Sequence, residues 1–173
     1  MKEYKKTFLR ALCPDDIKVL YSWFNDIEIA KFNGIPFRFH TKEDLKRKFF
    51  AHENQLLNYS LMICNNKKKP LGVIRYRKNR PYNTGVEVYI FWGDKKNIFL
   101  YWLESLYLLS KYIFDELGYL RLTISLSGQL IKLGDELDKI GFVKEAVKKE
   151  ERYFNGIYND SIIYGLLRDE FIR

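Results

Sequence analysis

A chain of 173 residues that is 47% hydrophobic and 17% aromatic can bury the core of one domain unaided, which argues against a disordered chain or a scaffold needing bridges. It has no long uncharged apolar run to read as a membrane span, and Cys13 and Cys64 are too few for a disulfide framework or a zinc set. A net charge of +8 and a pI near 9.3 suit a polyanion or the phosphates of a cofactor as partner.

The charged opening Met1–Lys6 runs straight into a strand pattern with no apolar leader, so a cytoplasmic location is expected. Thr7 to Leu12 reads as a strand, and Pro14-Asp15-Asp16 as a helix start, followed by Ile17, Leu20, Tyr21 and Phe24 at helical spacing. After an irregular stretch through Gly34 and Pro36, Thr41 with Asp44 forms an N-cap pattern for a second helix carrying Leu45, Phe49 and Phe50. Three strands come next, Tyr59 to Cys64, Pro70 to Arg77 and Gly85 to Trp92, and the turns Asn65-Asn66-Lys67 and Pro81-Tyr82-Asn83 are short enough to demand antiparallel hairpins. Lys67-Lys68-Lys69 falls in the first of these connections and reads as a solvated turn.

A long helix, Ile98 to Leu117, follows, with Phe99, Leu103, Leu106, Leu109 and Ile113 as its expected buried stripe. Gly118 caps it, Arg121 to Leu126 alternates like a strand, and the strand-helix-strand order predicts a parallel crossover. A last helix, Gln129 to Lys139, stops at Gly141, and Phe142 to Phe154 and Ser161 to Leu167 form a hairpin around Asn155-Gly156. Without repeat or linker, residues 1–173 read as a single domain. The fold class is α/β (α+β), a mixed central sheet flanked by helices in the order βααβββαβαββ. His40 and His52 have no partner cluster, so no metal is expected.

Four stretches carry a family likeness. They are Leu9-Arg10-Ala11-Leu12 leading through Pro14-Asp15-Asp16 to Trp23-Phe24-Asn25-Asp26, then Pro70-Leu71-Gly72-Val73-Ile74, then Glu87 to Arg121, and finally Lys139-Ile140-Gly141-Phe142-Val143 with Phe154-Asn155-Gly156 and Tyr164 to Phe171. In order and wording the chain resembles the GNAT superfamily of N-acetyltransferases, with the RimJ/RimL type as the nearest branch. The resemblance implies acetyl coenzyme A as cofactor, its thioester lying between splayed fourth and fifth strands. It also implies an amine acceptor, either a small molecule, an amino sugar or a protein N-terminus, and a possible homodimer, whereas no recognition motif favours nucleic acid.

The same resemblance assigns Ile90, Phe91, Trp92, Lys95, Lys96, Asn97, Ile98, Phe99 and Leu100 to cofactor binding. Pyrophosphate in that family rests on a Gln/Arg-x-x-Gly-x-Gly/Ala turn, because glycines let backbone N–H groups close around phosphate. Here the turn is Asn97-Ile98-Phe99-Leu100-Tyr101-Trp102, so Leu100 and Trp102 stand where small residues are usual, and Glu104 matches the family's early helix glutamate. Leu137 stands where a tyrosine acid is usual, and Leu130, next to Gln129, where an asparagine is. Glu87 is the candidate base, expected with a raised pKa among apolar neighbours, and Tyr89 or Tyr164 the candidate acid. Two readings follow, an active N-acetyltransferase and a GNAT-fold binding or regulatory module that has lost transfer.

Overall fold

The computed structural model describes residues 6–51, 58–78 and 84–172, so the Met1–Lys5 opening, His52 and the Pro81–Asn83 turn lie outside the described residues. Strand β1 (Thr7–Ala11) leads through a 3-10 turn at Pro14–Asp16 into α1 (Ile17–Phe24). Asp16 seats this turn, accepting from the Cys13 N–H at 2.8 Å and from Arg10 Nη2 at 2.7 Å. A separate short helix, α2 (Ile27–Phe32), occupies part of the stretch expected to be irregular, because Asp26 caps it by accepting from the Glu28 and Ile29 N–H groups. Helix α3 (Lys42–Phe50) opens on the expected Thr41–Asp44 capping box.

Strands β2 (Asn58–Asn65), β3 (Pro70–Lys78) and β4 (Gly85–Trp92) follow, then α4 (Ile98–Lys111), β5 (Arg121–Leu126), a run of 3-10 turns over Gly128–Ile140, and the hairpin β6 (Val143–Phe154) and β7 (Ile157–Leu167). The final helix expected at Gln129–Lys139 is thus tighter than an α-helix, and the α4 axis ends in a π turn at Tyr112–Glu116 rather than continuing to Leu117. Asn155 and Gly156 both take positive φ, 56° and 79°, which suits the two-residue hairpin turn read at that position.

The seven strands form one sheet in the order β1-β2-β3-β4-β5-β7-β6. Every neighbouring pair is antiparallel except β4 with β5, which α4 joins as the expected crossover. One face is covered by α4 and the 3-10 segment, whose Trp102, Leu106 and Leu133 share a core with Val88 and Ile124, and the other by α1 to α3 over Met62, Cys64 and Val73.

The stripe of α4 keeps the expected Leu106, Leu109 and Ile113 but departs from the expectation in its first turns. Ile98, Trp102, Leu106, Leu109 and Ile113 are buried, whereas Phe99 is 74% exposed and Leu103 half-buried. Spacings of four, four, three and four put Trp102 on the seam, and the deeper packing of its indole fixes the rotation. Glu104 is buried on the same helix, accepting from the Lys6 N–H at 2.9 Å and the Thr7 hydroxyl at 2.8 Å, so it ties α4 to β1.

Candidate functional site

Pairing between β4 and β5 runs only from Gly85 with Arg121 to Val88 with Ile124. Beyond it the strands part: Ile90 and Trp92 stay with Ile74 and Gly72 of β3, and Ser125 and Leu126 stay with Ile163 and Ile162 of β7. The Gly93 N–H donates to the Leu71 carbonyl at 2.9 Å, which sets the alternation along β4. Ile90 and Trp92 therefore turn their backbone N–H and C=O into the gap.

A cleft of about 380 Å³ opens on this gap from the α1–α3 side. Tyr89, Ile90 and Phe91 line one wall and Ser125, Ser127 and Leu130 the other, with Phe24, Lys48 and Phe49 closing it from the helices. Phe91 stacks on Phe24 at 4.2 Å, and Asn25 ties the Phe37–His40 segment to α1 by exchanging bonds with the His40 backbone, at 2.9 and 3.1 Å. The Ser125 hydroxyl is buried at the cleft wall and has no partner among the described residues.

The far end of the gap is bridged. The Asn33 side chain donates to the Trp92 carbonyl at 2.9 Å and accepts from the Trp92 N–H at 2.7 Å, so its amide takes the place of a neighbouring strand. The Ser127 hydroxyl donates to the Gly34 carbonyl at 3.3 Å, and Gly34 and Gly128, both at positive φ, pack so closely that a Cβ on Gly128 would lie 2.7 Å from the Gly34 Cα. Beyond this bridge lies a separate hollow of about 480 Å³, bordered by Lys31, Lys95 and Gln129.

Of the residues the sequence assigned to the cofactor, Ile90 and Phe91 line the cleft and Lys95 the outer hollow. Trp92 is buried, its indole N–H donating to the Asp94 carbonyl at 2.5 Å, and Ile98 belongs to the core. Lys96 is exposed and its N–H is held by Asp94, Asn97 closes the 3-10 turn at Lys95–Asn97, and Phe99 and Leu100 stand exposed on the first turn of α4. Trp102, counted as a bulky residue in the phosphate turn, is instead a core residue.

The candidate acid–base residues are divided. Glu87 and Tyr89 meet beside the cleft, where the Tyr89 hydroxyl donates to Glu87 at 2.5 Å and Arg77 donates to Glu87 at 2.5 Å and to the Tyr89 oxygen at 3.1 Å. Burial pushes the Glu87 carboxyl up, but the bonds from Tyr89 and Arg77 outweigh it and hold the group below its ordinary value, contrary to the raised value expected. Burial, then the Glu87 bond and charge, push Tyr89 up to about 12. Tyr164 is not brought to the cleft, because it is buried in the core with its hydroxyl packed on Gly134. Leu137 is also wholly in the core.

Sequence reasoning missed Ser125, Asn33, Lys48 and Arg75. Ser125 carried a usable signal, a polar residue in step with Thr123 on the less buried face of an alternating strand, whereas the other three reach the cleft only through folding.

For coenzyme A the two ends of the gap differ. The thioester end fits, since the Ile90 edge has no strand beside it and Ser125, whose buried hydroxyl has no partner among the described residues, lines the same cleft. The pyrophosphate end does not fit as it stands, because Asn33 holds the Trp92 edge and the Asp94 carboxylate, paired with Lys69 at 2.6 Å, caps the Lys95–Asn97 turn that leads into the Asn97–Trp102 stretch assigned to phosphate.

Among solved structures, the chain is similar to the spermidine N-acetyltransferase from Vibrio cholerae in complex with CoA and spermine, at 17% identity over 96% of this chain and 98% of that one, with a TM-score of 0.82. It is likewise similar to the spermidine/spermine N-acetyltransferase SpeG from Vibrio cholerae in complex with manganese ions, at 16% identity over 96% and 95%, with a TM-score of 0.76. At that identity these show a shared fold. No curated protein matches the sequence. The model of the acetyltransferase (GNAT) domain matches residues 6–149, most of the chain, and the chain therefore belongs to the GNAT acetyltransferase family.

Proposed function

We propose that the protein transfers an acetyl group from acetyl coenzyme A to an amine. The observation that carries this reading is the parting of β4 and β5, which leaves the Ile90 backbone edge without a strand beside it in a cleft that Ser125 also lines. When bound, acetyl coenzyme A supplies the acetyl group, so that a nitrogen–carbon bond forms, a carbon–sulfur bond breaks and the amine releases a proton. Ser125 is positioned to donate to the oxygen on which negative charge develops, and it does so from a buried site where such a bond counts most. Lys48 and Arg75 lower the proton affinity of an amine held beside them, favouring its neutral, nucleophilic form. Tyr89 keeps its proton at neutral pH and Glu87 stays ionised, so the pair can relay the released proton through water rather than hold it. A RimJ/RimL-type branch, and an acceptor that is a small amine, an amino sugar or a protein N-terminus, belong to this proposal.

A second reading rests on the bridge. With the Trp92 edge occupied and Asp94 in the phosphate turn, the chain would be a GNAT-fold binding module without transfer.

A thermal-shift titration separates the two. Acetyl coenzyme A at ~100 times its dissociation constant adds about 2.7 kcal/mol. For a chain of this length that is a rise of about 5–10 °C in Tm. A Tm that does not move at millimolar acetyl coenzyme A would overturn the transferase reading and leave the binding module.

A further inference from the structure

The cleft carries a charge pattern that selects its occupant. Its lining includes Lys48, Arg75, Arg77 and Arg152, and among the described residues no Asp or Glu lines it. Arg77 is engaged by Glu87 at 2.5 Å, and Arg152 lies 3.9 Å from Glu151. Lys48 and Arg75 have no carboxylate partner among the described residues. Arg75 Nε donates to the Ser60 hydroxyl at 3.1 Å and its guanidinium lies over the Phe49 ring at 5.2 Å, while the Lys48 ammonium lies over the Phe24 ring at 4.7 Å. Both cations are thus positioned by aromatic faces and a hydroxyl, with their charge left uncompensated.

We propose that the acceptor taken by this cleft is a small amine bearing its own phosphate or carboxylate, held through that anion by Lys48 and Arg75, and that a polyamine is excluded. A polyamine brings two or more ammonium charges and would meet Lys48 and Arg75, neither of which has a carboxylate partner among the described residues, so the cleft disfavours it. An anionic amine instead restores the charge balance. Its anion docks on a guanidinium whose planar fork suits phosphate or carboxylate, and its nitrogen is left free to reach the Ile90–Ser125 gap. Burial, then the neighbouring cations Arg75 and Arg38, hold the Lys48 ammonium below its ordinary pKa, and burial does the same for Arg75. Each therefore gains when an anion arrives. The cleft volume of about 380 Å³ suits a small molecule rather than a folded partner.

The nitrogen's fate rests on the acetyl-transfer reading; the anion site does not. Calorimetry without coenzyme A, at low salt and neutral pH, tests the site with O-phosphoethanolamine, β-alanine, ethanolamine and spermidine as probes. The expected result is binding of O-phosphoethanolamine, β-alanine or both, at least tenfold tighter than ethanolamine or spermidine, and the better of the two names the anion. Arg75→Gln and Lys48→Gln should each weaken it about tenfold, the scale of one charged contact. Lys48 stays solvent-accessible overall although its ammonium is partly desolvated at the cleft, so its variant keeps the test valid even where Arg75→Gln fails to fold. Spermidine binding as tightly as either anionic amine, neither anionic amine binding, or tight binding unmoved by the Lys48 variant, would overturn the proposal. Binding that is sound but followed by no acetylated product when acetyl coenzyme A is added would overturn the transferase reading alone.

Discussion

Glu87 and Ser125 illustrate how burial and partnership decide what a polar residue can do. Glu87 alternates with apolar residues in β4 and so invites the reading of a carboxylate forced neutral, yet Arg77 and Tyr89 converge on it and keep it ionised. Its folded pKa lies below the unfolded one. Its contribution to stability is therefore present above the ordinary carboxylate pKa of about 4.3 and is lost as pH falls through the folded value. Glu87→Gln should cost about 0.5–1 kcal/mol in urea melts near neutral pH and nothing in strong acid. It should also leave any inflection of kcat/KM between about pH 6 and 8 in place, since a group already ionised there contributes none. Disappearance of such an inflection in the variant would make Glu87 the base. Ser125 has the opposite profile, a buried hydroxyl with no partner among the described residues, so Ser125→Ala should hold or raise stability by up to about 1 kcal/mol while lowering kcat roughly 10²-fold. Such opposite signs separate a group that serves the ligand from one that serves the fold.

At the level of elements, the segment from α2 to Gly34 acts on the β4–β5 gap like a strand inserted sideways. The Asn33 amide satisfies both backbone groups of Trp92, and Gly34 meets Gly128 backbone to backbone, a contact that exists because neither residue has a side chain. Asn33→Ala should cost about 2–4 kcal/mol, the loss of three buried hydrogen bonds, one of them to the Ile29 carbonyl. It should also free the Trp92 edge, so acetyl coenzyme A should bind more tightly than to the parent chain in a direct titration. Unchanged affinity would place the obstruction at Asp94 and Leu100 instead. This bridge was not legible in the sequence, where the stretch through Gly34 and Pro36 offered no period and Asn33 joins Trp92 across 59 positions. The phase of the first turns of α4 was missed for a different reason. Phe99 and Trp102 are both large and apolar, so spacing alone allows two stripes, and only the sheet beneath selects the one through Trp102. By contrast the Thr41–Asp44 cap, the Asn155–Gly156 turn and the bounds of β4 and β5 were all readable, because each depends on residues adjacent in the chain.

Across the whole molecule, element order foretold the hairpins and the parallel crossover, since short turns and one late helix leave few alternatives under the connection rules, but not the place of β7 between β5 and β6. What order does not convey is how the two faces of the sheet depend on each other. The cluster under α1 to α3 holds Trp23, and the cluster under α4 holds Trp92 and Trp102, while β2 and β3 contribute to both, with Met62 and Val73 on one face and Ile63 and Ile74 on the other. Successive residues of one strand thus anchor opposite cores, and neither cluster can come apart without stripping the strands that support its neighbour. We therefore expect the chain to behave as one domain, with both clusters melting together. Two variants, Trp23→Phe and the double replacement of Trp92 and Trp102 by Phe, report on one cluster each by fluorescence. Their urea midpoints, each compared with the far-ultraviolet dichroism of the same variant, should coincide within error. A Trp23 signal that changes well before the dichroism would show instead that the α1–α3 layer opens independently, exposing the cleft it closes while the β4–β5 core persists.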